Sequence, residues 1–214
     1  MNTQTRKIIV AVVALSAAAV SVYFALSGRA PKVNLDPYAA LGAVTAEETA
    51  KLVADKGQVL VIVRGTGANK NPSVEAELAA FQQTLKKHPG VNVLVEKFQV
   101  TPILMMATGG GLPADEFSKA LERHGNLSAV VLFLGFPVLT EPEIEALKKT
   151  GVKAVVVSAL HPAYKLLLEK QAIQLAIVPR AEPAPEGGPT PRTVRERFDQ
   201  QYNIITPADA ANLP

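Results

Sequence analysis

Apolar and polar positions fall into blocks along this chain, and the first block is the longest. Residues Ile8 to Leu26, IIVAVVALSAAAVSVYFAL, carry no charge, and only Ser16 and Ser21 are strongly polar. A bilayer core needs about 20 predominantly apolar residues, so this run predicts a single transmembrane helix. Ala14, Ala17, Ala18 and Ser21 bring small residues onto one side of it, a pattern suited to packing against other membrane helices. Residues 27–43 carry Pro31 and Pro37 with little periodicity and read as a tether. Thr45-Ala-Glu-Glu48 then has the form of a capping box, predicting a short helix to about Lys56 that Gly57 ends.

From residue 44 to residue 180, runs of Val, Ile and Leu alternate with helical patterns. Gln58 to Arg64 predicts a buried strand, and Asn71-Pro72 opens a helix with Val74, Leu78, Phe81 and Leu85 on its apolar side until Pro89-Gly90. Val91 to Val100 is followed by a helix from about Pro113 to His124, with Met105, Met106 and Gly109 to Gly111 in a longer loop between them. Ala129 to Leu134 is followed by a helix introduced by Thr140 and Pro142. Its first turn carries Glu141, Glu143 and Glu145 and its last turn Lys148 and Lys149, as the helix dipole favours. Val152 to Val157 precedes a helix from near Pro162 through Tyr164, Leu167 and Leu168, and Ile173 to Val178 makes a fifth strand. This alternation predicts an α/β fold: a doubly wound, flavodoxin-like parallel sheet of five strands in the order 2-1-3-4-5, with helices on both faces.

Residues 181–191, AEPAPEGGPTP, form an extended linker by composition. In the arm that follows, residues 192–214, Val194, Phe198 and Tyr202 fall at i, i+4 and i+8. They predict a short amphipathic helix able to dock on the domain or on a partner, and Tyr202 to Ile205 can add a strand.

Composition narrows the function. The 214 residues leave room for the anchor and one domain, and 22 basic against 19 acidic side chains, evenly spread, do not make a nucleic-acid surface. With no cysteine there is no disulfide, thiolate metal site, catalytic thiol or lipidated cysteine, so membrane attachment rests on the apolar run. Arg6 and Lys7 precede that run with no acid among residues 1–7. The positive-inside rule therefore keeps these residues in the cytoplasm and the domain on the periplasmic or extracellular side of the cytoplasmic membrane, although Arg29 and Lys32 reduce the asymmetry. A cleaved secretory signal is the alternative, since Ala17 to Ala19 offers an A-x-A pattern; it too leaves the domain extracytoplasmic.

Candidate chemistry is sparse. In open α/β sheets ligands bind beyond the carboxyl ends of strands, which draws attention to Gly65, Thr66, Gly67, Asn69 and Lys70. Their amides and the ammonium group suit an anion, yet the third glycine of G-x-G-x-x-G and the P-loop ending are missing, and an ordinary βα loop reads as well. Gly109 to Gly111 suits either a mobile lid or a plain linker. His88, His124 and His161 have no partner at metal-ligand spacing, so no metal and no cofactor is expected. Ser158 follows a strand and His161 lies close by, but no glycines frame the serine as G-x-S-x-G, so no catalytic residue is assigned and the chain is not expected to be an enzyme.

The stretch QVLVIVRGTGANKNPSVEAELAAFQQTLKKHPGVNVLVEKF, followed by PADEFSKALERHGNLSAVVLF and GVKAVVV, resembles one lobe of the type I periplasmic sugar-binding proteins, a family shared with LacI-type regulators. The resemblance covers a little over half the chain and implies a ligand cleft between two lobes, lined by aromatic groups and paired acids or amides. This chain departs from it in having room for one lobe and no tryptophan, and in reading Gly135-Phe136-Pro137 and Ser158-Ala159-Leu160-His161 where an acid would be expected. The leading expectation is therefore a non-catalytic, membrane-anchored accessory subunit that contacts other subunits of a membrane complex, with Val194, Phe198 and Tyr202 as partner contacts. The alternative is a tethered solute-binding or sensing module with a small-molecule ligand.

Overall fold

The strands at the centre of the sheet hide both of their faces. In the computed structural model, which describes Ser16, Ser21 and residues 33–65, 70–108, 111–159, 161, 163–181 and 190–213, the chain divides into two units, Met1–Asn34 and Leu35–Pro214. The second holds strands β1 (Gly57–Gly65), β2 (Val91–Gln99), β3 (Leu127–Leu132), β4 (Lys153–Val157), β5 (Leu175–Pro179) and β6 (Tyr202–Ile205). Its helices are α1 (Asp36–Leu52), α2 (Pro72–Leu85), α3 (Pro102–Thr108), α4 (Ala114–His124), α5 (Glu141–Thr150), α6 (Ala163–Glu169) and α7 (Val194–Asp199), and a 3₁₀ turn spans Pro207–Asn212.

Because successive side chains on a strand point to opposite faces, a continuous apolar run serves two cores at once. Leu60, Ile62, Val130, Leu132 and Val156 pack on one face with Phe117 of α4, Ile144 of α5 and Leu168 of α6. Val59, Val61, Val131, Val155 and Ile177 pack on the other with Val44 of α1, Phe81 of α2 and Phe198 of α7. The expected α/β class with helices on both faces is thus present.

The sheet order is β2-β1-β3-β4-β5-β6. The first five strands are parallel, whereas β6 runs antiparallel to β5, from Ala176↔Ile205 to Pro179↔Tyr202. The expectation of five parallel strands is corrected to six in a mixed sheet. An uncovered β5 would leave a row of unpaired backbone groups at a sheet edge, and the C-terminal arm supplies the strand that pairs with them.

Two helices also differ from expectation. Helix α1 starts at Asp36, ahead of the expected capping box, so residues 36–43 are helix and not tether. Pro37 is tolerated in the first turn, where its missing N–H has no helical partner in any case. Thr45 is fully buried in the helix interior, its hydroxyl donating to the Leu41 carbonyl at 2.7 Å, and Thr49 repeats this with Thr45. Between β2 and α4 the structure has helix α3 where a loop was expected, with the Thr101 side chain accepting from the Leu104 N–H at 3.2 Å.

Among the described residues no helix is long and apolar enough to cross a membrane. The expected transmembrane run from Ile8 to Leu26 lies outside them except for Ser16 and Ser21, which are helical and exposed. Most of the expected linker, residues 182–189, also lies outside them.

Candidate functional site

The chain turns twice beyond the carboxyl ends of β3 and β4, and the two turns enclose a pocket. After β3, the Phe133 N–H still donates to the Ile62 carbonyl at 3.0 Å, and Gly135 then reverses the chain with φ +74°, a value that disfavours a side chain. Phe136 is buried against Phe117, ring centroids 5.6 Å apart, while Val138 is 76% exposed. The segment ends at Thr140, whose N–H and hydroxyl both donate to the Glu143 carboxylate at 2.7 Å, capping α5 and holding the Glu143 carboxyl below its usual range. After β4, the Ser158 N–H donates to the Ile177 carbonyl at 3.1 Å, and His161 Nδ1 accepts from the Ala163 N–H at 3.1 Å at the start of α6.

Gly111 closes the floor. A Cβ on it would lie 2.6 Å from the Phe136 carbonyl oxygen, and one on Gly135 would lie 3.3 Å from the Gly111 Cα and 3.4 Å from the Ser158 Oγ. Glycine at both positions lets the segment after α3 pass directly against the β3 turn. The resulting pocket has a volume of about 210 Å³. Phe136, Val138, Leu139, Ile144, Leu166 and Leu167 give it apolar walls, while Thr108, Ser158, His161 and Tyr164 bring its polar side-chain groups. Among the described residues that line it, none carries a carboxylate, an amide side chain, a guanidinium or an ammonium group.

The sequence-predicted residues fare unevenly. Gly65 ends β1 as a buried residue against the Gln99 side chain, and Lys70 is exposed ahead of the Asn71 cap of α2, where the Asn71 side chain accepts from the Ser73 N–H at 3.0 Å. Thr66, Gly67 and Asn69 lie outside the described residues, as do Gly109 and Gly110 of the glycine run. Ser158 and His161 line the same pocket, but no hydrogen bond joins them, and His161 Nδ1 is occupied by the Ala163 N–H. The other histidines have local partners: His88 Nδ1 lies 2.8 Å from Asp55, and His124 Nε2 lies 3.1 Å from Glu96, which also binds Arg123. No group of three metal-ligating side chains occurs among the described residues.

Phe198, expected at a partner surface, is wholly buried in the domain's own core, its ring 5.4 Å from that of Tyr202. It has no surface left to offer a partner. Val194 remains exposed and Tyr202 is half-buried. The arm is bound to its own domain by Arg195, which donates to Glu48 at 3.1 Å, and by Lys165, which donates to the Leu213 carbonyl at 2.7 Å.

Sequence reasoning missed the pocket walls because it searched these loops for carboxylates and found none. The available signal was Phe136-Pro-Val-Leu139, an apolar run placed in a strand-end loop where polar residues are usual.

No protein-family model matches the sequence, and no curated protein matches it. Solved structures do match in fold. The arabinose-binding protein AraP from Geobacillus stearothermophilus aligns with a TM-score of 0.57 at 15% identity, covering 83% of this chain and 63% of that one. A solute-binding protein of an ABC transporter from Agrobacterium vitis, bound to α-D-tagatopyranose, gives 0.52 at 16%, covering 80% and 57%. A LacI transcriptional regulator from Bacteroides fragilis gives 0.54 at 10%, covering 83% and 62%. The chain therefore has the fold of the type I periplasmic binding proteins, and it spans about three-fifths of the length of the structures it matches.

Proposed function

We propose that this chain is a non-enzymatic solute-binding or sensing module, held at the outer face of the cytoplasmic membrane by Ile8 to Leu26. The observation that carries this reading is a pocket beyond the carboxyl ends of β3 and β4, where open α/β sheets bind ligands, on a fold shared with sugar-binding proteins and a LacI regulator. The absence of a bonded Ser158–His161 pair supports binding over hydrolysis. The folding of the C-terminal arm onto its own domain removes one ground for the accessory-subunit reading.

Two measurements test it. In lipid nanodiscs, a small solute should raise the melting temperature of the full chain saturably, and Ala159→Trp, which fills the pocket mouth, should abolish that shift. A shift that survives Ala159→Trp, or no response to any solute, overturns the pocket assignment. Alkaline carbonate washing should leave the chain in the membrane and release a variant lacking residues 8–26; release of the parent would refute the anchor.

An accessory role in a membrane complex is the second reading, favoured by Ile103 and Met106, which stand 81% and 86% exposed one turn apart on α3. Co-purification with other membrane proteins at fixed stoichiometry, lost on Ile103→Asp/Met106→Asp, would support it.

A further inference from the structure

We infer that the pocket at the ends of β3 and β4 takes a small, mainly apolar solute carrying a single hydrogen-bonding oxygen, such as a cyclic alcohol or ketone, and not a sugar. This rests on the reading of that pocket as the solute site. A sugar presents hydroxyls around its whole rim, and each one buried without a partner weakens binding, so sugar sites need many convergent polar groups. Here the lining offers, among the described residues, no carboxylate, amide, guanidinium or ammonium group. Of the few hydroxyls, that of Thr108 already donates to the Leu104 carbonyl at 2.8 Å.

The apolar side of the ledger points the same way. Val138 is 76% exposed and Leu166 46% exposed, and both line the pocket, so a solute seated between them removes apolar surface from water that the fold alone leaves wet. The volume of about 210 Å³ is below the roughly 300–1,000 Å³ typical of drug-sized ligand pockets, which restricts the occupant to a single small ring or branched chain.

The polar groups fix where the oxygen goes. His161 Nδ1 accepts the Ala163 N–H, so the neutral ring carries its proton on Nε2 and has a donor to give. Ser158, lying just under Gly135, and Tyr164 each add a hydroxyl that donates or accepts. A donor and two amphoteric hydroxyls satisfy one alcohol or carbonyl oxygen and fall well short of a sugar's rim of hydroxyls.

The test uses the full chain in lipid nanodiscs and reads the methyl NMR signals of Val138, Ile144 and Leu166, so that partition of a probe into lipid is not mistaken for binding. Menthol and cyclohexanol should shift these signals saturably, D-arabinose and D-glucose should leave them unmoved, and Leu166→Asn should weaken menthol about tenfold. The hydrocarbon p-menthane should bind about tenfold more weakly than menthol, and His161→Phe should reduce that difference. If a sugar alone moves the signals, or sugars and cyclic alcohols bind alike, the solute class is overturned while the pocket's role as a binding site stands. If no probe of either class moves them, both readings fall. Equal binding of menthol and p-menthane overturns the assigned oxygen contact.

Discussion

Gly42 of α1 sits directly on the backbone of Glu77 in α2, so close that a Cβ on the glycine would fall 2.0 Å from the Glu77 carbonyl oxygen and 2.8 Å from its carbonyl carbon. Helices cross at this distance only where one of them lacks a side chain, which explains a glycine in the middle of a 17-residue helix. The obstacle is backbone and cannot swing away.

Gly42→Ala therefore destabilises the domain despite alanine's higher helix propensity. Forced overpacking costs about 1–3 kcal/mol, against a gain of about 1 kcal/mol from removing a helical glycine. Urea denaturation should show a lower midpoint for the variant, and an equal or higher midpoint would mean that the two helices separate freely.

Glu77 gives this crossing a pH dependence. Burial pushes its carboxyl up from about 4.5 to about 8, and its charge in turn acts on Tyr202, whose hydroxyl is held above its usual range by burial first, then by Glu77 and Tyr38. Between about pH 4.5 and 8 the folded chain keeps a proton that the unfolded chain has released, so this group's contribution to stability is full below that window and declines as pH rises through it. Thermal melts across this range should fall more steeply for the parent than for Glu77→Gln. Parallel curves would remove Glu77 as the cause.

Phe198 anchors the C-terminal arm. It is fully buried, and the Arg195 guanidinium lies 5.6 Å from the centre of its ring. Phe198→Ala should cost about 3–5 kcal/mol in urea denaturation and expose the backbone of β5 to hydrogen exchange. If the arm served only a partner, neither quantity would change in the isolated chain.

Gly135 couples the pocket to the fold. Gly135→Ala places a side chain at φ +74° and brings its Cβ to 3.4 Å from the Ser158 Oγ. The left-handed conformation alone costs about 1–2 kcal/mol, and the added methyl group crowds the pocket floor. A lower denaturation midpoint together with weaker solute binding is expected, and unchanged binding would place the solute away from Ser158.

The strand runs and the helix punctuation were legible in the chain because they are local: VLVIV, AVVLFL and AVVV are uniformly apolar, and Asn71 and Thr140 mark helix starts by their own chemistry. Those features by themselves determined the α/β class and its helices on both faces. The site was not legible in the same way. Gly111 and Gly135 meet only when the segment after α3 folds against the β3 turn, and Phe136, Ser158 and His161 come from different loops that no spacing rule connects. The start of helix α1 is not legible because Thr45 suits a cap and a helix interior equally, and only its burial, with α1 packed on α2, distinguishes them. The sequence leaves open whether the arm docks on its own domain or on a partner, because Val194, Phe198 and Tyr202 are amphipathic against any apolar surface. Tertiary structure chose the surface, since the edge of β5 and the core beside α1 lay within the arm's reach and needed covering.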